Sequence, residues 1–515
     1  MEKLNEHYVN ENLAGLPVSV PLLPEKARHL PEKAIQFGEG VFLRAFVEDF
    51  INEANARGIF NGTVVIVQPI DKGRVDELNQ ADRVYTLVLR GLENGEPVEY
   101  KKIITSVSRA IKAYDEWDQV LACAEKESIS IVISNTTEAG IILDEDDRFD
   151  LAPPRSYPGK LTNYLYHRWQ HFKGTPQAGM LIIPVELIDK NATTLRQVVL
   201  TLCERWELGP EFTTWVKDHT TFCNSLVDRI VTGYPFAEAE AIQQDLGYSD
   251  DNLDTAEPFQ LWAIEGDSTV QKRFPLNETG LQIVFTDDYT MYRNRKVRIL
   301  NGSHTSLGPL SYLLGVELVR QAVEHTDLNA FWQAFLFREI IPSLPYPKAE
   351  MEEFARQVTE RFKNPFIKHE WKKILLNSVS KFKARVVPSI IDYHSKTGEL
   401  PAGLCFALAA FLRYMQVTQK TETGAFHAVL ENGQEYQIED DQWVCEFFLG
   451  IWQDKDLTRK TEVEPAVTAI LQNRDLWGQD LAGLDGMTGL LSDTLGAMAG
   501  QGIKNTLKNL LRTLY

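Results

Sequence analysis

Apolar and polar positions change period along the first two hundred residues. Residues 34–37 (Ala-Ile-Gln-Phe) form a short run of buried-strand type, and Gly38-Glu39-Gly40 follows at once. From Val41, Phe42, Phe46 and Phe50 recur four apart with Val47 and Ile51 beside them, which is helix spacing, and Gly58 ends it. Residues 63–67 (TVVIV) are an uninterrupted β-branched run, as expected of a strand covered on both faces. Strand, glycine turn, helix and strand make a βαβ unit. Runs at 85–89 and 98–104 flank Glu93-Asn94-Gly95-Glu96, and Asn-Gly there predicts a tight hairpin. Residues 129–134 and 180–183 are further buried-strand candidates, each after a helical stretch, at 114–126 and 160–172. The alternation predicts an α/β fold: a Rossmann-like, doubly wound, mostly parallel sheet.

After about residue 290 the texture changes. Helical patterns at 307–323, 328–336, 349–362, 371–383, 402–416, 463–472 and 503–514 predict a mainly α-helical C-terminal domain with few strands. The expected divisions are a loosely structured leader over 1–31, where Pro17, Pro21, Pro24 and Pro31 interrupt any helix, a Rossmann-like domain over 32–288, and a helical substrate domain over 289–515. Residues 481–511 turn from Gly/Ala-rich to amphipathic, which suits packing on the same domain or on a second subunit.

A length of 515 residues suits two to four domains, and 44% apolar with 24% charged residues is ordinary for a globular protein. The longest strongly apolar run, 402–412, is short of the roughly 20 residues a spanning helix needs. A formal charge of −19 gives no global field for nucleic acid or anionic lipid, so neither is an expected partner. It leaves room for an anionic small molecule in a local cationic pocket. The five cysteines show no CxxC spacing, and the polar N-terminus has no signal pattern. Reduced core thiols in a cytoplasmic protein are the expectation.

Three constellations could carry chemistry. Gly38-Glu39-Gly40 lies between a predicted strand and a helix, where glycines let the backbone approach a pyrophosphate and the helix start offers free N–H groups. The third small residue of a dinucleotide fingerprint is not at its usual place, and a ligand-free tight turn is the alternative. Ser134-Asn135-Thr136-Thr137-Glu138-Ala139-Gly140 is a polar cluster at the end of a predicted strand, suited to a cofactor rim or to a plain strand cap. Lys296, Asn301 and His304 share one arc of about 140° if their segment is a regular helix. A lysine acts as a base only if burial or positive neighbours lower its pKa, and an asparagine amide can donate to a developing alkoxide. A surface lysine beside a helix-capping Asn-Gly is the alternative. His167 and His171 are four apart without the glutamate of an HExxH site, and no metal site is expected.

Lys296-x4-Asn301-x2-His304, the turn Gly38-Glu39-Gly40-Val41-Phe42-Leu43-Arg44-Ala45, Thr137-Glu138-Ala139-Gly140, Val227-Asp228-Arg229-Ile230 and Arg361-Phe362-Lys363-Asn364-Pro365 keep one order over nearly the whole chain. Together they resemble the polyol-specific long-chain dehydrogenase/reductase family, which holds the mannitol 2-dehydrogenases and the hexuronate reductases. The glycine turn departs from the family spacing by one residue before Phe42. The stretches 184–189 and 228–235 lean toward the hexuronate reductases: mannitol-type members carry Cys-Asp-Asn where this chain has Val185-Glu186-Leu187. Asn191 is retained, while the glycine after it is Ala192 here.

The resemblance implies a metal-independent, NAD-linked enzyme acting on a small sugar acid. The implied reaction interconverts D-tagaturonate and D-altronate in hexuronate breakdown. Fructuronate or fructose reduction is the alternative within the family, and a non-catalytic nucleotide-binding protein the alternative outside it. By the same resemblance Lys296 is the general acid/base, Asn191 and Asn301 bind the reacting oxygen, and His304 positions a hydroxyl or orients the lysine. Phe37, Gly38, Glu39, Gly40, Val41, Phe42, Asp71, Thr136, Thr137 and Glu138 are expected around the cofactor. Asp71, after the second strand, would take ribose hydroxyls and repel a 2′-phosphate, which favours NAD over NADP. A substrate carboxylate asks for a fixed cation. Asp228, Arg229, Lys368, His369, Lys381 and Arg385 are expected at the substrate, with Arg293 and Arg295 as further basic candidates. A monomer or small homo-oligomer is expected.

Overall fold

The computed structural model describes residues 1–137 and 139–514. The chain divides into two compact units, Met1–Gly91 with Val98–Thr290, and Leu92–Pro97 with Met291–Tyr515.

The strands of the first unit are, in chain order, β1 (Glu32–Phe37), β2 (Thr63–Gln68), β3 (Tyr85–Glu93), β4 (Glu96–Ile104), β5 (Val107–Lys112), β6 (Ile131–Ser134), β7 (Leu181–Pro184), β8 (Thr221–Phe222), β9 (Ser225–Asp228), β10 (Asp254–Ala256), β11 (Leu261–Glu265) and β12 (Ile283–Thr286). Six of them form one parallel sheet in the order β5-β2-β1-β6-β7-β8. β1 is central, with Ile35 paired to Val65 on one side and Val132 on the other. Successive side chains point to opposite faces. Ala34, Val64, Ile66, Ile131 and Ile133 therefore enter one core, and Ile35, Phe37, Val65, Val67 and Val132 the other. Burial on both faces explains why these strands read as unbroken apolar runs. The chain leaves β1 for β2 in one direction and later adds β6 in the other, so the sheet is doubly wound as its pattern predicts. The switch point lies between the carboxyl ends of β1 and β6, where ligands of such sheets bind.

The hairpin between β3 and β4 turns on Asn94 (φ 53°) and Gly95 (φ 82°), the left-handed pair of a type I′ turn. A further sheet, β12-β11-β9, mixes parallel and antiparallel pairs.

Two expectations need correction. Residues 1–31 are not a loose leader. Asn5 accepts from Tyr8 N–H at 2.8 Å and caps the Glu6–Asn12 helix, while Pro24 starts the next one. Leu4 and Val9 are buried with Val84, Val88, Ile103 and Tyr248. Prolines broke the pattern but fell between helices or at a helix start, where they are tolerated. The helix expected from Val41 is also broken, into Val41–Arg44 and Val47–Ala56. At the break the Arg44 carbonyl accepts from the Tyr85 hydroxyl at 2.8 Å, and the Ala45 carbonyl from Arg229 at 2.7 Å. Those tertiary donors take the oxygens that a continuous helix would have used.

The second unit is helical apart from a small sheet of Gln419–Lys420, Phe426–Val429 and Glu435–Ile438, which the pattern did not show. Its helix Ala402–Tyr414 is almost wholly buried. The helix begins on the Glu339 carboxylate, which accepts from the N–H groups of Gly403 and Leu404 at 2.7 and 2.8 Å. Burial pushes the Glu339 pKa up to about 7. Gly315 (φ 76°) separates Gly302–Leu313 from Val319–Glu324, and Asn377 (φ 51°) separates Trp371–Ile374 from Ser378–Arg385, so two expected helices are each split in two. Met487–Gln501 packs on Ala402–Tyr414 and on Lys460–Gln472, and its Leu491, Leu495 and Met498 are buried. Among the described residues no helix is long and apolar enough to cross a membrane. All five cysteines are buried and unpaired.

Candidate functional site

In the first unit the features of interest gather at the carboxyl edge of the sheet. Gly38 leaves β1 at φ 125°, a conformation open to glycine. A Cβ there would stand 3.0 Å from Leu43 Cδ1 and 3.1 Å from the Asn135 carbonyl oxygen. Its N–H donates to Val67 at 2.8 Å, and its carbonyl accepts from the Gln36 amide at 2.9 Å. Gln36 also donates to Glu48 at 2.8 Å, and the other Glu48 oxygen lies 2.6 Å from the Tyr85 hydroxyl, which shares its one hydrogen between Glu48 and the Arg44 carbonyl. A buried network thus fixes the turn from below. Gly40 differs: it is exposed, caps the Val41–Arg44 turn, and a Cβ on it would meet nothing within 4 Å. The backbone is open to a ligand at Gly40 and closed at Gly38.

Glu39 folds toward the loop after β2, where a Cβ on Gly73 would stand 2.1 Å from its Oε1, and burial raises its pKa. Asp71 lies exposed in that loop. Beyond β6, Thr137 takes φ 73°, a strained value for a β-branched residue. A Cβ on Gly140 would stand 2.2 Å from Thr136 Oγ1, so the loop closes tightly on itself. Glu138, the remaining cofactor candidate there, lies outside the described residues. Thr136 gives both its N–H and its hydroxyl to Glu186 Oε1, at 3.0 and 3.1 Å, and Ser134 donates to Oε2 at 3.2 Å. Burial raises the Glu186 pKa to about 7. Phe37 packs against Tyr157, ring centroids 5.4 Å apart. Val41 lies against Gly233, and Phe42 stacks on Phe46 at 5.1 Å, extending the aromatic core. Ile70, Ile142 and Leu187 stand exposed just past β2, β6 and β7. An open glycine backbone, a strained polar loop and exposed apolar side chains at a switch point suit a dinucleotide.

Three residues of this unit do not take the parts expected of them. The Asn191 side chain is fully buried, and its Nδ2 faces the carbonyls of Pro184, Glu186 and Ser225 at 2.9, 3.1 and 3.0 Å. Its Oδ1 accepts from Ala192 and Ser225 N–H. Asn191 therefore joins the end of β7 to β9, and no donor is left for a reacting oxygen. Arg229 is buried too: it donates to Asp49 and the Ala45 carbonyl, each at 2.7 Å, and to the Glu257 carbonyl at 2.9 Å, while its buried Nη2 has no partner among the described residues. Burial raises the Asp49 pKa, but Lys102 and Arg229 outweigh it and hold the carboxylate below its ordinary value. Asp228 beside it is buried in β9, paired with Leu261. Neither presents itself to a substrate.

In the second unit Lys296 and Asn301 begin and end a π-helical turn set between Thr290–Arg295 and Gly302–Leu313. The Gly302 N–H reaches back five residues to the Val297 carbonyl. Residues five apart are one turn apart in such a winding, so Lys296 and Asn301 share a face more closely than the regular helix expected from sequence would allow. Such turns concentrate at functional sites. Both residues are half-buried, and among the described residues the Asn301 side-chain amide has no hydrogen-bond partner.

His304 follows in the next turn, 6% exposed. Its ring stacks on Phe362 (centroids 4.2 Å, planes 20° apart) and meets His369 edge-on at 4.8 Å. Its buried Nε2 has no partner among the described residues. Burial, then His369, Arg385, Arg361 and Lys381, hold the His304 pKa well below the usual imidazole value. Burial and Arg361 bring His369 down to about 4. His369 is thus neutral near pH 7 and cannot be the cation expected of it. Lys368, its neighbour, is exposed. The positive charge around the imidazoles belongs to Arg361, Lys381 and Arg385. Lys381 also donates to the carbonyls of Ile374 (2.7 Å) and Leu376, and Arg385 reaches Thr305 Oγ1 at 3.4 Å. Arg361 was not among the expected cations. It lies in the buried stripe Phe354, Val358, Arg361, Phe362, where an arginine is the visible anomaly. Among the described residues no group of three or more His, Cys, Asp and Glu is placed to hold a metal ion.

The family profile described as the mannitol dehydrogenase Rossmann domain matches residues 32–278, and that of the mannitol dehydrogenase C-terminal domain matches 288–499. An altronate oxidoreductase of Enterobacter sp. (strain 638) is 41% identical over 482 residues, 93% of this chain and 97% of that protein. One from Pectobacterium atrosepticum is 40% identical over 93% of this chain and 96% of its own. Among solved structures, Pseudomonas fluorescens mannitol 2-dehydrogenase, in a ternary complex with NAD and D-mannitol, superposes with a TM-score of 0.72 over 99% of both chains at 22% identity. The chain belongs to the mannitol dehydrogenase family of oxidoreductases.

Proposed function

We propose that this chain is an NAD-linked secondary-alcohol dehydrogenase that interconverts D-tagaturonate and D-altronate. One observation carries the substrate assignment beyond kinship with altronate oxidoreductases: a buried imidazole pair, His304 edge-on to His369, within the electrostatic reach of Arg361, Lys381 and Arg385. A sugar acid brings one carboxylate and a row of hydroxyls. The three cations suit the carboxylate, and His304, His369 and the Asn301 amide suit the hydroxyls and the reacting oxygen.

Gly40, with its open backbone, would hold the phosphates of the dinucleotide, Asp71 its ribose, and Thr136 and Thr137 its rim. NAD, when bound, supplies or accepts the hydride. Lys296, as the free amine, takes at Nζ the proton that leaves the alcohol oxygen, and as the ammonium it returns that proton during ketone reduction. Asn301 donates from its amide to the oxygen on which charge develops. Neutral His304, clamped between Phe362 and His369, presents Nε2 to a neighbouring hydroxyl. With an amine doing the acid/base work the reaction needs no metal, and chelator treatment is expected to leave activity intact.

Steady-state assays with NADH against D-tagaturonate, D-fructuronate and D-fructose test the reading. D-Tagaturonate is expected to give the highest kcat/KM. Faster turnover of fructose than of tagaturonate would defeat it.

A further inference from the structure

Three segments of the first unit place groups around a lysine that the reaction does not use. Lys160, in the first turn of the Tyr157–His171 helix, is 1% exposed. Its Nζ donates to the Arg155 carbonyl at 2.7 Å, approaches the Tyr114 hydroxyl at 3.4 Å, and lies 4.7 Å from the Tyr114 ring centroid. One ammonium N–H has no partner among the described residues. Tyr114 stands two residues past β5 and is 43% exposed. Asp71 stands three residues past β2, the strand beside β5.

Asp71 acts on both groups. After burial it is the next cause raising the Tyr114 phenol, and, after Asp147, it opposes the burial that brings Lys160 down to about 8. The second carboxylate acting on them, Asp147, is already compensated. It accepts from the N–H groups of Arg148, Arg155 and Ser156 and from the Ser156 hydroxyl, at 2.6–3.0 Å. That pocket needs a glycine at 159, where a Cβ would stand 2.1 Å from Asp147 Oδ2. Asp71, exposed and making no ion-pair contact among the described residues, is the counter-charge a ligand would meet.

We propose that Lys160, with the Tyr114 hydroxyl, is a latent phosphate-binding position that Asp71 masks, and that this trio sets how sharply the chain rejects a 2′-phosphate on the adenosine ribose. The proposal rests on the reading that this unit binds NAD. A carboxylate past the second strand accepts from ribose hydroxyls and repels a 2′-phosphate. Here the carboxylate is backed by an ammonium with an open N–H and by a phenol, the donors a phosphate takes. While Asp71 is charged, it cancels their pull on an anion. Without that charge, the pull is exposed.

Fluorescence titration of the full chain with NADH and NADPH tests this through dissociation constants alone. Wild type is expected to prefer NADH. Asp71→Asn should tighten NADPH about tenfold or more. Adding Lys160→Met should remove that gain, and adding Lys160→Arg should keep it. Should the Met variant fail to unfold cooperatively, Asp71→Asn with Tyr114→Phe is the substitute, expected to lose part of the gain. Absence of tightening in Asp71→Asn, or equal NADPH affinity with Met and Arg at 160, overturns the proposal. A wild type that binds neither dinucleotide defeats the NAD reading, and this proposal with it; the NADH titration alone identifies that case.

Discussion

The His304 imidazole lies face to face with the Phe362 ring, 4.2 Å between centroids and 20° from parallel. Phe362 in turn stacks on Trp332 at 5.2 Å, and the Trp332 indole N–H donates to Ser303, the residue before His304, at 2.9 Å. The imidazole is locked in a dry aromatic stack with cations near, and that combination keeps it neutral.

The first prediction concerns pH. His369 (about 4) and His304 have folded-state pKa values below the roughly 6.5 of an unfolded chain. The unfolded state then binds more protons, so their contribution to stability is complete above about pH 6.5 and is lost as pH falls through about 4. The stability difference between wild type and His369→Gln should shrink between about pH 7 and pH 4.5 in denaturant titrations. Imidazole NMR signals of both residues should stay fixed between about pH 8 and pH 5.5. A midpoint near 6.5 for either would contradict the assignment.

Lys296→Ala should lower kcat by about a hundredfold or more, the low end for loss of a general acid/base. The rate of tagaturonate reduction measures this. Near-normal turnover would remove Lys296 from the reaction.

The two glycines of the turn should separate under substitution. Gly38→Ala meets Leu43 and Asn135 at a left-handed φ, and a loss of about 1–3 kcal/mol in unfolding free energy is expected. Gly40→Ala has free space, so its unfolding should match wild type while NADH binding weakens. Equal thermal shifts in the two variants would refute the distinction.

Asn191→Asp tests the corrected role of that residue. The change puts a carboxylate oxygen opposite three carbonyls now served by Nδ2. A lower unfolding midpoint in urea is expected. An unchanged midpoint with lost turnover would restore Asn191 as a donor to the substrate.

Arg229→Ala leaves Asp49 buried with Lys102 as its remaining ion-pair partner. Breaking a buried pair from one side costs about 3–5 kcal/mol, and the lower end is expected here because Lys102 remains. Denaturant unfolding measures it. A loss below about 1 kcal/mol, the range of an exposed pair, would show the network to be wetter than its burial implies.

The parts of the molecule readable from sequence were those whose pattern is local. β1, β2 and the Asn94-Gly95 turn rest on short runs of apolar or special residues, and they lie where those runs put them. β5, with the mixed sequence Val-Ser-Arg-Ala-Ile-Lys, escaped because it is the edge strand of its sheet and only partly buried. Hydrogen-bond capacity is not written in a residue's own pattern, so Asn191 looked available when the carbonyls of Pro184, Glu186 and the distant Ser225 use it. His369 looked like a cation because charge state depends on burial and on Arg361, neither visible in a string of letters. Lys160 was legible in principle. It shares the stripe of Tyr157, Leu161, Tyr164 and Leu165, and a lysine among buried apolar positions is an anomaly that periodicity exposes.

The π turn at Lys296–Asn301 holds one residue more than regular winding would need, and its wider winding absorbs that surplus so that the helix after it keeps its phase. Deleting a single residue from this turn would let the whole stretch from Thr290 to Leu313 rewind smoothly, relieving a local irregularity. Six residues of that wider winding turn through about the same angle as five of regular helix, so Ser303, His304 and Thr305 would keep their places beside Trp332, Phe362 and Arg385. A shortened chain should therefore gain thermal resistance and hold its imidazole in place, and any loss of turnover would fall on the side chains of the turn itself.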